Sequence, residues 1–257
     1  MRKFIGKKQF AKVEWANSYG FRKLFTVLSK NQGNVFCVGG CVRDLILGHN
    51  TNRAEVDIDI ATDVTPDKVK NLLQESGFKV LSSAIEYGTI TAIIDGQSFQ
   101  ITTFRSDVKS DGRRAKVRFS KSLKKDAERR DFTMNALYMN MEGEVCDPLS
   151  GWEDLISGNV RFIGDPEVRI KEDYLRILRY FRFVSLYDKS GKSLDQRALS
   201  ACAAAKLKLK HISKERIWME CKKILSSQEP LNAIRAMEIT GVLAEIFPKS
   251  DVQNLEK

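Results

Sequence analysis

Two aspartates one residue apart, Asp57-Ile58-Asp59, are spaced for metal-dependent chemistry. In a strand, side chains at i and i+2 share a face, so both carboxylates project together while Val56, Ile58 and Ile60 point into the core. Adjacent carboxylates repel unless a cation sits between them, and hard oxygen ligands select Mg2+, with Mn2+ as the alternative. Two such ions can activate an attacking hydroxyl and neutralise the leaving oxygen of a phosphoryl transfer. A solvated acidic strand end has the same spelling, and what favours the metal reading is the turn upstream. There, Gly39-Gly40-Cys41-Val42-Arg43-Asp44 joins a buried strand to a helix start. Backbone N–H groups and the positive helix end converge at such a point and suit a phosphate, to which Arg43 adds a charged fork. By itself, a glycine pair before a helix is also an ordinary tight turn.

Two further clusters extend this chemistry. Arg129-Arg130-Asp131-Phe132-Thr133-Met134-Asn135-Ala136 gathers two cations, a carboxylate and an amide. Arginine there can hold a triphosphate, and Asp131 or Asn135 can accept from a ribose hydroxyl; an exposed helix-start ion pair is the plainer reading. In Glu172-Asp173-Tyr174-Leu175-Arg176, continuing through Arg179 to Arg182, a period of about 100° puts the charged residues on one half of a helix. Ile177, Leu178, Phe181 and Val184 fall on the other half, the pattern of any amphipathic helix with salt bridges. Asp173 and Arg176, three apart, are neighbours on such a helix. Cytosine and adenine each present an amino donor beside a ring-nitrogen acceptor, which an Asp acceptor and an Arg donor match. Uracil and guanine reverse that polarity and would leave groups unpaired. One protein site could therefore accept CTP and ATP and refuse UTP and GTP.

The elements that must position these residues can be read in outline. A helical stretch spans Trp15–Leu28 and a short strand Asn34–Val38, followed by a helix that stops at Gly48. Glu55–Ile60 reads as a strand. Thr65-Pro66 starts a helix that Gly77 ends. Asp95-Gly96 joins Gly88–Ile94 to Gln97–Phe104 as a hairpin. Ser106–Arg118, with Asp111-Gly112-Arg113-Arg114 at its centre, reads as a mobile basic loop. Beyond Asp147-Pro148 helical periodicity takes over, across Ile170–Tyr187, Ser213–Leu225 and Pro230–Val242. The division expected is an α/β head over 1–150 and a helical region over 151–257.

Composition sets the outer bounds. The 257 residues carry a net charge of +10 and are 42% apolar, ordinary for a globular protein. The charge favours a polyanionic partner, nucleic acid or an anionic membrane surface. No apolar run reaches the roughly 18–20 residues of a membrane-spanning helix; composition alone does not choose between the two partners, and the reading adopted expects nucleic acid and no membrane. The five cysteines are scattered without a CxxC pair, and the two histidines are too few for a zinc site; reduced, mostly buried thiols in a cytoplasmic protein are expected. The basic N-terminus lacks a signal peptide's apolar core, and a transit peptide would be richer in Ser and Arg.

Taken in order, GGCVRD, DID, RRDFTMNAL, CDPLSGWEDL, EDYLRILRYFRF and KERIWMECKKIL resemble the motifs of the bacterial-type (class II) tRNA nucleotidyltransferase/poly(A) polymerase family. The resemblance spans Val35 to Val242. It implies an α+β fold: a polymerase-β-like nucleotidyltransferase head with a mixed five-stranded sheet, then an all-helical neck and body. It implies Mg2+-dependent addition of C and A to a tRNA 3′ end from CTP and ATP, without a nucleic-acid template. Asp57 and Asp59 would be the catalytic metal ligands. Gly39, Gly40, Arg43, Arg130 and Asn135 would form the nucleotide-binding set around the phosphates and sugar, with Asp131 on the ribose. Asp173 and Arg176 would read the base, supported by Arg179 and Arg182, and Ser110–Arg118 would be the loop used in changing from CTP to ATP. Ile101–Arg105 and the lack of a GRRFxLVHV-like stretch resemble the CCA-adding branch, with a poly(A) polymerase or a non-catalytic RNA-binding relative as alternatives. The DGRR loop argues against an enzyme that adds only the cytidines. Tyr174 stands where many members have Pro or Ala. The chain stops at Lys257 where relatives continue into body and tail, so a truncated or compact form is expected, with tRNA affinity the property most affected.

Overall fold

The computed structural model describes residues 3–5, 10, 13–30, 33–49, 57–110, 115–188 and 194–248. They form two compact units, one of residues up to 109, 115–130 and 134–152, the other of 131–133 and 153 onward. The first begins with β1 (Lys3–Phe4), α1 (Glu14–Asn17) and α2 (Tyr19–Ser29). The single helix expected over Trp15–Leu28 is thus broken at Ser18. The Ser18 hydroxyl accepts from Phe21 N at 3.3 Å, so this residue caps the second helix instead of continuing the first.

Next come β2 (Val35–Val38), α3 (Gly40–Ile46), β3 (Ile58–Thr62), α4 (Pro66–Glu75) and β4 (Lys79–Leu81). After them stand β5 (Thr89–Ile94), β6 (Gln97–Thr103), β7 (Arg105–Ser110), β8 (Ala115–Phe119), α5 (Leu123–Glu128), β9 (Tyr138–Met139) and β10 (Glu144–Cys146). Pro66 at the first position starts α4, and Gly77, at φ +79°, lies just beyond its end. Asp95 and Gly96 both have positive φ, 50° and 79°, as a tight hairpin turn between β5 and β6 requires. Asp57 stands just before β3, Ile58 and Ile60 are buried as expected, and Glu55 and Val56 lie outside the described residues.

The sheet runs in the order β1-β10-β9-β2-β3-β6-β5-β4, and of the pairs along it only β3–β6 is parallel. It is mixed, as expected, but has eight strands and not five. The additional ones, β1, β9 and β10, have two or three residues each, too short for alternation to show in the sequence. Burial alternates along β5 and β6, with Ile90, Ala92, Ile94, Phe99 and Ile101 inward. The helices α2 and α4 pack on each other and bury Phe21, Leu24, Leu28, Val69 and Leu73. Each such side chain contributes about 1.5–3 kcal/mol by leaving water. The segment read as a loop over Ser106–Arg118 is instead the two-stranded sheet β7–β8, with 111–114 outside the described residues. β7 (RSDVKS) is polar throughout most of its length, but β8 (AKVRF) alternates apolar and charged residues, a strand signal inside the segment read as a loop.

The second unit is helical: α6 (Gly151–Ser157, entering from the first unit), α7 (Pro166–Glu172), α8 (Arg176–Tyr187), α9 (Gln196–Ala205), α10 (Lys214–Leu225), α11 (Pro230–Ile239) and α12 (Val242–Ile246). Around α8 pack α10 and α11, and Ile177, Leu178, Phe181 and Val184 are buried as their spacing predicts. Phe132, Phe162, Tyr180 and Phe183 form an aromatic cluster with centroids 4.8–6.3 Å apart. Gly241, at φ 72°, separates α11 from α12, so the helix read over Pro230–Val242 ends early. Among the described residues no helix is long and apolar enough to cross a membrane.

The helix read over Ile170–Tyr187 is two helices, and this is the correction that bears on function. Asp165 caps α7 through Glu167 N and Val168 N, with Pro166 at its first position. At Asp173 the backbone is extended (φ −153°, ψ 109°), and α8 starts only at Arg176. The Asp173 carboxylate accepts from Leu175 N at 3.0 Å, the local bond that makes aspartate favour helix starts over interiors. The Asp165-Pro166 pair carries the signal that places a helix start there, just as Thr65-Pro66 does.

Candidate active site

In the first unit, the strand order puts β2 beside β3, and Val38 lies opposite Asp59. Directly after Val38 comes Gly39, at φ +80° and ψ −132°, a conformation for glycine alone. A Cβ there would lie 3.5 Å from Asp59 Oδ2, so the turn passes directly over that carboxylate. Asp57 is exposed and Asp59 half-buried. Burial raises the pKa of Asp59; Arg130 pulls it down, Asp57 pushes it up and Arg43 pulls it down, with a net rise. Asp57, Arg43 and Arg130 are therefore each close enough to act on Asp59. All four are among the residues singled out in the sequence.

Each arginine here is held. Arg43 donates through Nη1 to Asn135 Oδ1, which assigns Asn135 a positioning contact that the sequence did not show. The carboxylate of Asp126, a residue sequence reasoning missed, takes Arg129 Nη2 at 2.7 Å and Arg130 Nη2 at 3.1 Å. Tyr138, also missed, accepts from Arg130 Nε at 2.9 Å. Asp126 stands three and four residues before Arg129 and Arg130, a helical spacing that could have pointed to it, whereas no period links Tyr138 to Arg130. A further aspartate, Asp147, accepts from Gly151 N and Trp152 N at 2.8 and 3.1 Å, capping α6.

In the second unit, Asp131 is buried, with one oxygen on Phe132 N (2.9 Å) and the other on Arg179 Nε (2.8 Å) and Nη2. Burial lowers the pKa of Arg179, but Asp131, together with Glu220 and Asp173, more than compensates and the net shift is upward. Asp173 and Arg176 are linked through the backbone (Arg176 N to Asp173 O, 3.0 Å), but their side chains bind others. Asp173 Oδ2 accepts from Arg216 at 3.0 Å, while Arg176 donates to Glu172 and to the Arg169 carbonyl at 2.8 Å. Arg182 Nε lies 2.7 Å from Glu220 Oε2 and its guanidinium 4.7 Å from the Phe183 ring. Arg216 and Glu220 stand four apart on α10, in the KERIWMECKKIL segment, and so share a face. Asp154, from CDPLSGWEDL, accepts from the Thr133 hydroxyl at 2.5 Å and Arg161 Nε at 2.9 Å.

Residues 35–161 match the model of the poly A polymerase head domain, and 193–253 that of the probable RNA and SrmB-binding site of polymerase A. Mitochondrial CCA tRNA nucleotidyltransferase 1 of Mus musculus is 38% identical over 245 residues, 95% of this chain and 55% of that protein. The chain belongs to the tRNA nucleotidyltransferase/poly(A) polymerase family. Two solved family members are similar throughout. The Bacillus stearothermophilus CCA-adding enzyme in complex with CTP matches 89% of this chain and 54% of its own, at TM-score 0.76 and 33% identity. The Thermotoga maritima CCA-adding enzyme complexed with tRNA_CCA matches 100% and 60%, at TM-score 0.79 and 25% identity. The chain spans about half the length of the curated relatives it matches.

Proposed function

We propose that this chain is a tRNA nucleotidyltransferase that adds C and A to a tRNA 3′ end from CTP and ATP, without a nucleic-acid template. The observation that carries this reading is the grouping of Asp57 and Asp59 with Arg43 and Arg130 beneath the Gly39 turn. The relatives' names and their complexes with CTP and with tRNA_CCA point the same way.

The donor set fits a divalent ion. Among the described residues no group of three or more His, Cys, Asp or Glu gathers, so the two hard carboxylates would hold it, and burial and the neighbouring Asp57 already work against the negative charge of Asp59. We assign Mg2+ on that ligand chemistry, with Mn2+ as the alternative. When bound, such an ion supplies neutralising charge for the phosphates and lowers the pKa of the attacking 3′-hydroxyl. Arg43 and Arg130 hold the triphosphate and stabilise charge as it moves to the leaving pyrophosphate. Gly39 and Gly40 let the chain approach the phosphates closely. Asp131, fixed by Arg179, accepts from the ribose hydroxyl.

Base choice falls to Asp173 and Arg176. Arg216 fixes Asp173, an acceptor, and Glu172 aims Arg176 as a donor, the polarity that cytosine and adenine share. Arg182, bound to Glu220, supports the same helix. The buried free thiols of Cys37, Cys41, Cys202 and Cys221 support a reducing compartment such as the cytoplasm, while the murine relative is mitochondrial. The test is incubation with tRNA lacking its 3′ end, Mg2+ and each nucleotide singly and together, reading the added bases. Ordered C, C and A is expected. A long tail from ATP alone would point to poly(A) synthesis, and no incorporation would overturn the assignment.

A further inference from the structure

We infer that Asp126 and Tyr138 are positioning residues that lock the Arg130 guanidinium beside Asp59, so that it meets the incoming triphosphate already oriented. The inference rests on the reading above, in which Arg130 binds the nucleotide.

Three contacts close a ring. Arg130 Nε donates to the Tyr138 hydroxyl at 2.9 Å, that hydroxyl donates to Asp126 Oδ2 at 2.7 Å, and the same oxygen accepts from Arg130 Nη2 at 3.1 Å. One hydroxyl proton and its lone pairs suffice for both of the tyrosine's roles. The ring ties down a side chain that would otherwise sample many rotamers. The sheet fixes where it points. Tyr138 lies opposite Val38, and Val38 opposite Asp59, so the side chains of Tyr138 and Asp59 project from one face across three strands. Of the charges acting on Asp59, that of Arg130 is the strongest. Asp126 is only 1% exposed, and a buried carboxylate is costly unless fully bonded. Its other oxygen takes Arg129 Nε at 2.8 Å and, more weakly, Arg105 N at 3.3 Å, where β7 begins. The carboxylate is thereby held from several sides, and its fixed position is passed to Arg130.

Tyr138→Phe removes two bonds of the ring and changes little else. In the full chain, with tRNA lacking its 3′ end, it should raise KM for both CTP and ATP about tenfold, the worth of a hydrogen bond to a charged group. Its kcat should stay within about twofold, because Asp57 and Asp59 are untouched. Arg130→Lys keeps the charge but loses the Nε donor. In that background Tyr138→Phe should add almost nothing to KM, whereas a purely structural tyrosine would give additive effects. The same cycle with Asp126→Asn provides a second measurement should Tyr138→Phe melt below the assay temperature. An unchanged KM, or additive effects in both cycles, in a chain whose wild type does incorporate nucleotides, would overturn the inference and leave the proposed function standing. A wild type inert toward CTP and ATP would remove both.

Discussion

Asp173 and Arg176 divide their bonding so that each is steadied by its own partner, Arg216 for one and Glu172 for the other. In the proposed function both act in base choice and not in the chemical step, so altering them should change what is added and not whether transfer occurs. Asp173→Ala or Arg176→Ala is expected to reduce discrimination of CTP and ATP over UTP and GTP at least tenfold, the order of one unpaired buried hydrogen-bonding group. Single-nucleotide incorporation assays measure it, and a folded variant inactive with all four nucleotides would contradict it. Asp126 yields a prediction about acid. Burial acts to raise its pKa, but Arg130, Arg129 and the Tyr138 hydroxyl outweigh that and hold it below the usual carboxylate value. Its contribution to stability is therefore complete above the unfolded value of about 4 and is lost as the pH falls through the lower folded value. The Tm should drop on acidification below about pH 4, and less steeply in Asp126→Asn; parallel acid limbs in the two proteins would count against it. Residues whose chemistry is spelled in short runs, such as Asp57-Ile58-Asp59, were legible in the sequence. Tyr138 was not, because folding and not spacing brings it to Arg130; Asp126 stands at helical spacing from Arg129 and Arg130 and could have been found by it.

At the scale of the elements, turn chemistry was readable and helix continuity was not. Pro66, Asp95-Gly96 and Gly77 each demand one local conformation, and the chain adopts it. Apolar periodicity ran on through Ser18 and Asp173, where a side-chain cap outcompetes the helix. In β7–β8 the opposite failure occurs: β7 is too polar to announce itself, and the alternation of Ala115, Val117 and Phe119 in β8 was outweighed by the basic residues between and before them. Gly39 offers the sharpest test at this scale. Its φ of +80° with ψ of −132° is closed to residues bearing a Cβ, so Gly39→Ala should cost about 1–3 kcal/mol. The strain falls at the turn over Asp59, so KM for CTP should rise together with the loss of Tm. A Tm unchanged by the substitution would show that the turn relaxes without penalty.

For the whole molecule, helices follow one another after β10, and the two units interleave along the chain instead of dividing it at one point. Arg130 bonds within the first unit and Asp131, the next residue, within the second, a division that side-chain partners create and local spelling cannot show. The net charge of +10 belongs to this scale as well. If RNA is held through its phosphates, affinity should fall roughly tenfold or more between about 50 and 200 mM salt, as counterion release requires. Filter binding over that range would measure it, and a flat response would argue against a phosphate-led grip.

The two aspartates at the head of β3 are not equals. Asp59 is a ladder residue, half out of water and hemmed in by two guanidiniums, whereas Asp57 sits in open solvent on the stretch of chain leading into the strand. One oxygen donor comes rigidly placed and the other is free to adjust, so a cation's location would be dictated by the inner carboxylate and its residence time governed by the outer. Amide replacement at the outer site should thus be partly recovered by raising the Mg2+ concentration, and at the inner site should not.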